Sequence, residues 1–256
     1  MDVDGVLLDV DGVLTVSWRE LPGAAEAVAA LRSRGVPFLL ATNTTTMSRS
    51  VLAATLARAG IEVTAGDLVT APVAAARFLR SEHPGASVFQ VGGRDAREDL
   101  DGVRFVEDGS ADVVLVAGAD DDFTWARLDQ AFRLLLDGAA FVAMHRNTSW
   151  TTDRGPTLDS GPFVAALEAA TGAVATVTGK PAPAFFSSCV SMLGLEPSRV
   201  AMVGDDLESD VLAAQRCGLT GVLVRTGKFR QGTLDAATER PDLVLDSVAV
   251  LPAALE

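Results

Sequence analysis

Two aspartates two positions apart, Asp9 and Asp11, follow the apolar run Val6-Leu7-Leu8 and precede Gly12. A short apolar run ending in acids reads as a buried parallel strand that delivers two carboxylates at its carboxyl end. Residues i and i+2 of a strand project to the same side, so the two groups can divide one task. An ionised Asp9 is a competent nucleophile toward a phosphoryl group once a cation offsets the repulsion between two anions, and the product of that attack is an aspartyl-phosphate. Asp11 can then protonate the leaving oxygen and later activate water. Gly12 lets the chain turn sharply and bring backbone N–H groups toward phosphate. The pentapeptide Asp-Val-Asp-Gly-Val also occurs at residues 2–6, where only Met1 precedes it, so Asp2 and Asp4 are expected to be solvated rather than catalytic. Calcium loops use similar letters, but the glutamate they require at the distal position is missing here.

Three later turns offer partners for this pair. Thr42 supplies a hydroxyl and Asn43 an amide directly after the apolar stretch Phe38 to Ala41, and both suit phosphate oxygens. Lys180, between Gly179 and Pro181, is a point charge able to neutralise a phosphate and its nucleophile. Gly204-Asp205-Asp206, with Asp210 one turn on, follows another apolar strand. Hard carboxylate oxygens of this kind select magnesium over zinc or copper. His145, Arg146 and Asn147 follow the apolar segment Ala140 to Met144 in a polar loop, and are candidates for contacts that choose the substrate.

The elements that must position these groups alternate along the whole chain, strand-like runs with Ala- and Leu-rich helical ones, which is the pattern of an α/β protein built of parallel units. Strands are expected near Val6–Val10, Pro37–Ala41, Val174–Val177, Val200–Val203 and Thr220–Val224, with helices near residues 23–34, 48–59, 182–194 and 208–217. Four of the strands end in the turns named above, and ligands of open parallel sheets bind beyond those ends. Residues 78–171 carry a complement of their own, with strands near 87–91, 112–117 and 140–144 and a helix over 124–136. The boundaries expected are therefore a core of 1–77 and 172–256 with an inserted domain of 78–171. Within the insert, Trp125, Leu128, Phe132 and Leu135 have the spacing of a core-facing stripe, and Asp120-Asp121-Asp122 reads as a helix N-cap. The best linker-like stretches are 81–85 and 153–161.

Composition narrows the classes of function. With 34 acidic against 21 basic residues, a formal net charge of -13 and no basic patch, the chain would repel nucleic acid and anionic membrane surfaces. No apolar run approaches the length of a membrane helix, and the acidic amino terminus lacks the basic region of a signal peptide, so a cytoplasmic location is expected. Cys189 and Cys217 have no metal-ligand or redox spacing, and two histidines are too few for a histidine metal cage.

The ordered set Asp9-Val10-Asp11-Gly12-Val13-Leu14, Thr42, Lys180 and Gly204-Asp205 through Asp210 resembles the four motifs of the haloacid dehalogenase-like phosphohydrolase superfamily. The placement of the insert, Thr42-Asn43 and Gly179-Lys180-Pro181 resemble its subgroup with the larger type IIA cap. Asp129 to Leu134, Gly161-Pro162-Phe163, Gln215 to Gly218 and Arg225-Thr226-Gly227-Lys228-Phe229 are similar to the phospholysine phosphohistidine inorganic pyrophosphate phosphatase group and its relatives. The resemblance implies a Rossmann-like doubly wound core and a cap that closes over it and contributes specificity. It also implies Mg2+ bound by the Asp9 carboxylate, the Asp11 main-chain carbonyl and the Asp205 carboxylate, supported from nearby by Asp206 and Asp210. The expected function is a magnesium-dependent phosphatase acting on a small phosphorylated molecule through phospho-Asp9, with self-association through the cap as a possible assembly. A mutase-like phosphoryl transferase and a non-catalytic sensor of phosphorylated metabolites are the alternatives.

Overall fold

The computed structural model describes residues 1–152 and 155–255. The chain divides into two compact units, one of residues 1–42, 50–69 and 180–256, the other of residues 43–49 and 70–179. In chain order, the first unit opens with strand β1 (Gly5–Leu8), a small hairpin of β2 (Thr15–Val16) and β3 (Arg19–Glu20), helix α1 (Ala24–Ser33), β4 (Phe38–Thr42), α2 (Arg49–Arg58) and β5 (Leu68–Thr70). Helix α1 buries Ala24, Ala27, Val28 and Leu31, the i, i+3, i+4, i+7 stripe that an amphipathic helix needs to sit on a sheet.

The second unit contains α3 (Ala71–Glu82), β6 (Ser87–Val91), β7 (Arg104–Val106), β8 (Val113–Val116), α4 (Trp125–Leu136), β9 (Ala140–Ala143), the hairpin of β10 (Ser149–Thr152) and β11 (Gly155–Leu158), α5 (Gly161–Thr171) and β12 (Thr176–Val177). Its five-stranded sheet runs β12-β9-β8-β6-β7, with every pairing parallel. Alternate residues of β8 enter different clusters. Val114 and Val116 pack with Leu134, Leu135, Val164 and Leu167 of α4 and α5, whereas Val113 and Leu115 pack with Ala75 and Leu79 of α3. Both faces are covered, which is why the strand is apolar at every position.

The chain then re-enters the first unit through α6 (Pro183–Leu193), β13 (Val200–Gly204), a π-helical turn over Leu207–Leu212 leading into α7 (Ala213–Arg216), β14 (Thr220–Val224), α8 (Gln231–Ala236), β15 (Leu243–Leu245) and α9 (Leu251–Ala254). The six-stranded sheet is ordered β15-β14-β13-β1-β4-β5. From β1 the chain builds outward through β4 and β5 on one side, and after the second unit through β13, β14 and β15 on the other. The reversal lies beside β1, where a doubly wound sheet opens its ligand crevice. Val6, Leu7, Leu8, Leu40 and Val200 to Val203 have no exposed surface, and each buried Val, Leu or Met side chain among them contributes roughly 1.5–3 kcal/mol.

The sequence reading needs correcting in several places. The strand expected at 174–177 does not join the core sheet; Thr176–Val177 pairs with Val142–Ala143 in the second unit. Helix α3 also belongs there, because its apolar face covers β8, so the units divide at different residues from the expected 78 and 171. Trp125 is 82% exposed, since it opens the first turn of α4 beyond the edge of the packed stripe; Ala131, Leu134 and Leu135 form the buried face, with Leu128 and Phe132 beside it. The cap of α4 is Thr124, whose hydroxyl accepts from the Arg127 N–H at 3.3 Å. Asp120 and Asp122 instead accept from the N–H groups of Gly93 at 2.8 Å and Gly92 at 3.2 Å. Of the stretches read as linkers, 81–82 ends α3 and 155–158 is a strand, while Asp153 and Arg154 lie outside the described residues. Strands β5 and β15 were too short, at three residues each, to show a period in the sequence.

Candidate active site

The site is built at the carboxyl ends of β13, β1 and β4. Val6 to Leu8 pair in register with both Ala201 to Val203 and Phe38 to Leu40. The Asp9 N–H continues that ladder by donating to the Val203 carbonyl at 2.9 Å, which fixes the direction of its side chain. Beyond it the chain closes a tight turn: the Leu14 and Thr15 N–H groups both donate to the Val10 carbonyl, and the Gly12 N–H donates to the Thr15 carbonyl at 2.7 Å. Gly12 has φ +89°, and a Cβ there would lie 1.9 Å from Asp205 Oδ2. Glycine is required at this position for both its backbone freedom and its lack of bulk.

Asp9, Asp205 and Asp210 offer carboxylate oxygens within 4.8 Å of one another. All three are buried, as is Lys180, with exposures of 7%, 2%, 2% and 3% in that order. The Lys180 ammonium lies 2.7 Å from Asp9 Oδ1 and 2.8 Å from Asp210 Oδ1. Burial alone would lower the pKa of this lysine, but the charges of Asp210 and Asp9 overcome it and hold the group well above its ordinary value. The Lys180 ammonium, even with the Lys228 charge acting from beside Asp206, does not cancel the repulsion among three carboxylates packed this closely. Burial, together with the charges of Asp9 and Asp210, pushes Asp205 up to about 8. Burial pushes Asp210 up to about 6, the Lys180 charge opposing it and that of Asp9 adding to it. Asp11, half-buried beside Asp9, is raised to about 6 by burial first and by the Asp9 charge second.

The donor set fits a hard divalent cation. Asp205 Oδ2 accepts from the Lys228 N–H at 2.6 Å, whereas Asp205 Oδ1 is buried and has no hydrogen-bond partner. A buried carboxylate oxygen left without a donor is costly, and a cation held by oxygen ligands is the group that would satisfy it while offsetting the surplus negative charge.

Asp210 has a more intimate place than the sequence suggests. The π-helical turn, with the Asp210 and Val211 N–H groups both on the Asp206 carbonyl, brings Asp210 back toward the strand end. Gly204 makes room for it, since a Cβ at 204 would lie 2.3 Å from that of Asp210. Asp206 is instead the cap of this turn: its Oδ1 accepts from the N–H groups of Glu208 at 3.1 Å and Ser209 at 3.0 Å. Thr42 is buried at the end of β4, level with the residues just past Leu8.

The remaining candidates belong to the second unit. Asn43 begins that unit and packs against Gly179, where a Cβ would lie 2.6 Å from Asn43 Oδ1. His145 is 2% exposed; its Nδ1 accepts from the Asn147 N–H at 3.3 Å and lies 3.5 Å from Ser160 Oγ and 4.0 Å from Asp159 Oδ2. Arg146 makes a bidentate pair with Glu168 at 2.7 and 2.9 Å. These side chains brace the β9–β10 loop within their own unit.

Thr226, Gly227 and Lys228, which carry no role by residue type and spacing alone, also reach the site. The Thr226 hydroxyl donates to the Gly12 carbonyl, a Cβ on Gly227 would lie 2.0 Å from Asp205 Oδ2, and Lys228 Nζ is 3.9 Å from Asp206 Oδ2. Their signal was available: a Thr-Gly-Lys turn directly after an apolar strand, in the same position as the turns that follow β1 and β13.

The chain is similar to known proteins over most of its length. A haloacid dehalogenase-like hydrolase model matches residues 6–106, and a second model of the same kind, described as HAD-hydrolase-like, matches 177–251. Haloacid dehalogenase-like hydrolase domain-containing protein 2 of Bos taurus is 36% identical over 242 residues, 94% of this chain and 92% of its own. Phospholysine phosphohistidine inorganic pyrophosphate phosphatase of Homo sapiens is 33% identical over 253 residues, 96% of this chain and 92% of its own. Among solved structures, p-nitrophenyl phosphatase from Archaeoglobus fulgidus superimposes with a TM-score of 0.92 at 30% identity, covering 100% of both chains.

Proposed function

We propose that this chain, which belongs to the haloacid dehalogenase-like hydrolase family and is a phosphohydrolase, hydrolyses a small phosphorylated molecule through an aspartyl-phosphate on Asp9 with Mg2+ as cofactor. The observation that carries this reading is the buried set of Asp9, Asp205 and Asp210 around Lys180, with Asp205 Oδ1 unpartnered. Asp9, Asp205 and the Asp11 main-chain carbonyl would hold the cation beside Asp210, and its charge would offset the repulsion between the nucleophile and a phosphate dianion.

The steps fall to the chain's own groups. An Asp9 oxygen attacks phosphorus, and the bond from phosphorus to the leaving oxygen breaks. Asp11, held partly protonated near neutrality by its raised pKa, gives its proton to that oxygen. It then takes a proton from water, whose oxygen attacks the phosphorus of the aspartyl-phosphate; the bond to Asp9 breaks and inorganic phosphate leaves. Lys180 holds the Asp9 side chain in place, while the Thr42 hydroxyl and those N–H groups of the Asp9–Gly12 turn that lie outside its internal bonds would serve the phosphoryl oxygens, the Gly12 N–H itself being held by the Thr15 carbonyl. The second α/β unit corresponds to the type IIA cap and contributes the choice of substrate.

The names of the relatives set the first compounds to test: phospholysine, phosphohistidine, inorganic pyrophosphate and p-nitrophenyl phosphate, followed by nucleotides and sugar phosphates. Phosphate release is expected from at least one of them in the presence of Mg2+, and its loss by several orders of magnitude in Asp9→Asn. Substantial turnover by Asp9→Asn would sink the mechanism.

A further inference from the structure

The turn between β14 and α8 contacts both halves of the acidic cluster at the main chain. The Thr226 hydroxyl donates to the Gly12 carbonyl, tying this turn to the one that follows Asp9 and Asp11. Two residues on, the Lys228 N–H donates to Asp205 Oδ2 at 2.6 Å. Gly12 and Gly227 close around that same oxygen: a Cβ on either would fall 1.9 or 2.0 Å from it, and one on Gly227 would fall 2.5 Å from the Gly12 Cα. Gly227 has φ +57°, a left-handed conformation that glycine adopts at no steric cost. With Oδ2 committed to Lys228 and walled in by two glycines, the carboxylate of Asp205 has one orientation, and Oδ1 is left buried and unpartnered.

We infer that Thr226-Gly227-Lys228 is a positioning clamp that holds Asp205 Oδ1 and the Asp9–Gly12 turn in register for a divalent cation, with Thr226 as the residue that locks the two turns together. The inference rests on the reading of the site as a Mg2+ site. Within the clamp Thr226 acts through the Gly12 carbonyl and Lys228 through its backbone N–H on Asp205 Oδ2, apart from the charge its side chain adds. A group that orients a metal ligand typically changes metal affinity by ten- to a hundredfold when it is removed.

Thr226→Val keeps the shape of the side chain and removes the donor. Mg2+ binding to the chelator-treated full chain, measured by titration calorimetry with MgCl2 alone, should weaken by roughly tenfold. Thr226→Ser, which restores the hydroxyl, should return it. In turnover the Mg2+ concentration for half-maximal rate should rise while the substrate KM holds, a split that a general loosening of the fold would not produce. Where Thr226→Val fails to fold by circular dichroism, Thr226→Ala carries the same comparison, because it removes the hydroxyl and adds no bulk. Mg2+ binding by Thr226→Val as tight as that of the unaltered chain overturns the clamp and leaves the phosphatase reading standing. Failure of the unaltered chain to bind Mg2+ overturns the reading of the site and the clamp with it.

Discussion

Replacing Lys180 with methionine should destabilise the first unit in a way that depends on pH and on Mg2+. Methionine is unbranched and fills a similar volume, so the substitution removes a charge with little change in packing. The ammonium lies 2.7 and 2.8 Å from two carboxylates; at an effective dielectric of about 20, each contact has a gross Coulomb energy of roughly 6 kcal/mol. Desolvation of a side chain only 3% exposed takes back most of this. The net cost of deleting one partner from a buried ion pair is about 3–5 kcal/mol, a shift in Tm on the order of 10 °C for a unit of this size. The raised pKa of Lys180 places its stabilisation fully below the ordinary lysine pKa, so at pH 8 all of it is present to be lost. With that ammonium gone, Asp9, Asp205 and Asp210 face one another with only the Lys228 charge left against them. Protonation at pH 5 or binding of Mg2+ should then recover a large part of the loss. Thermal unfolding at pH 5 and pH 8, each with chelator or with Mg2+, checks this. An unchanged Tm, or an equal fall under all four conditions, would refute the electrostatic account of the cluster.

Other outcomes follow from the same geometry. In the chelated protein, Asp11, Asp210 and Asp205 have pKa values raised to about 6, about 6 and about 8. Their contribution to stability is therefore fully present below the ordinary carboxylate pKa near 4 and is lost as pH rises through 6 and then 8. Denaturation with chelator should show stability falling between about pH 4 and pH 8, and Mg2+ should abolish the decline; a flat profile would contradict the raised values. Asp11→Asn should lower kcat by roughly 10²- to 10⁴-fold with little effect on Mg2+ affinity, as followed by steady-state phosphate release and calorimetry. A kcat within a few-fold of the unaltered chain would remove Asp11 from the acid and base steps.

The clustering of Asp9, Lys180 and Asp205 was more legible in the sequence than the partition of the chain. Asp9 stood out because three consecutive apolar residues led to it, and that run is the central strand. Lys180 and Asp205 were readable from the turns that carry them. Asp210 was underrated because ordinary helical geometry after Asp206 does not return it to the strand end, and a π-helical turn has no simple residue pattern. Asp206 caps the turn that carries Asp210, as a carboxylate two or three residues ahead of free N–H groups does, and its own N–H donates to Asp210 Oδ2 at 3.3 Å. The boundary of the second unit was hidden because α3 is apolar on the face that covers β8, and β12 is only two residues long. Arg146 and His145 looked available because they followed a strand in a polar loop; their partners Glu168, Ser160 and Asp159 come from a later segment that sequence spacing does not connect to them. Asp2 and Asp4 are solvated, as expected of a copy with no strand behind it, and both also pair with Arg199 at the surface.

The central claim is that Asp9 carries the phosphoryl group. Acid quenching during turnover of a substrate found active with Mg2+, followed by proteolysis and mass spectrometry, should find the mass of one phosphoryl group on the peptide that contains Asp9, localised by fragmentation to that residue and absent from Asp9→Asn. Phosphate released at the full rate with no phosphorylated peptide at any quench time, or the group found on Asp11, would contradict it.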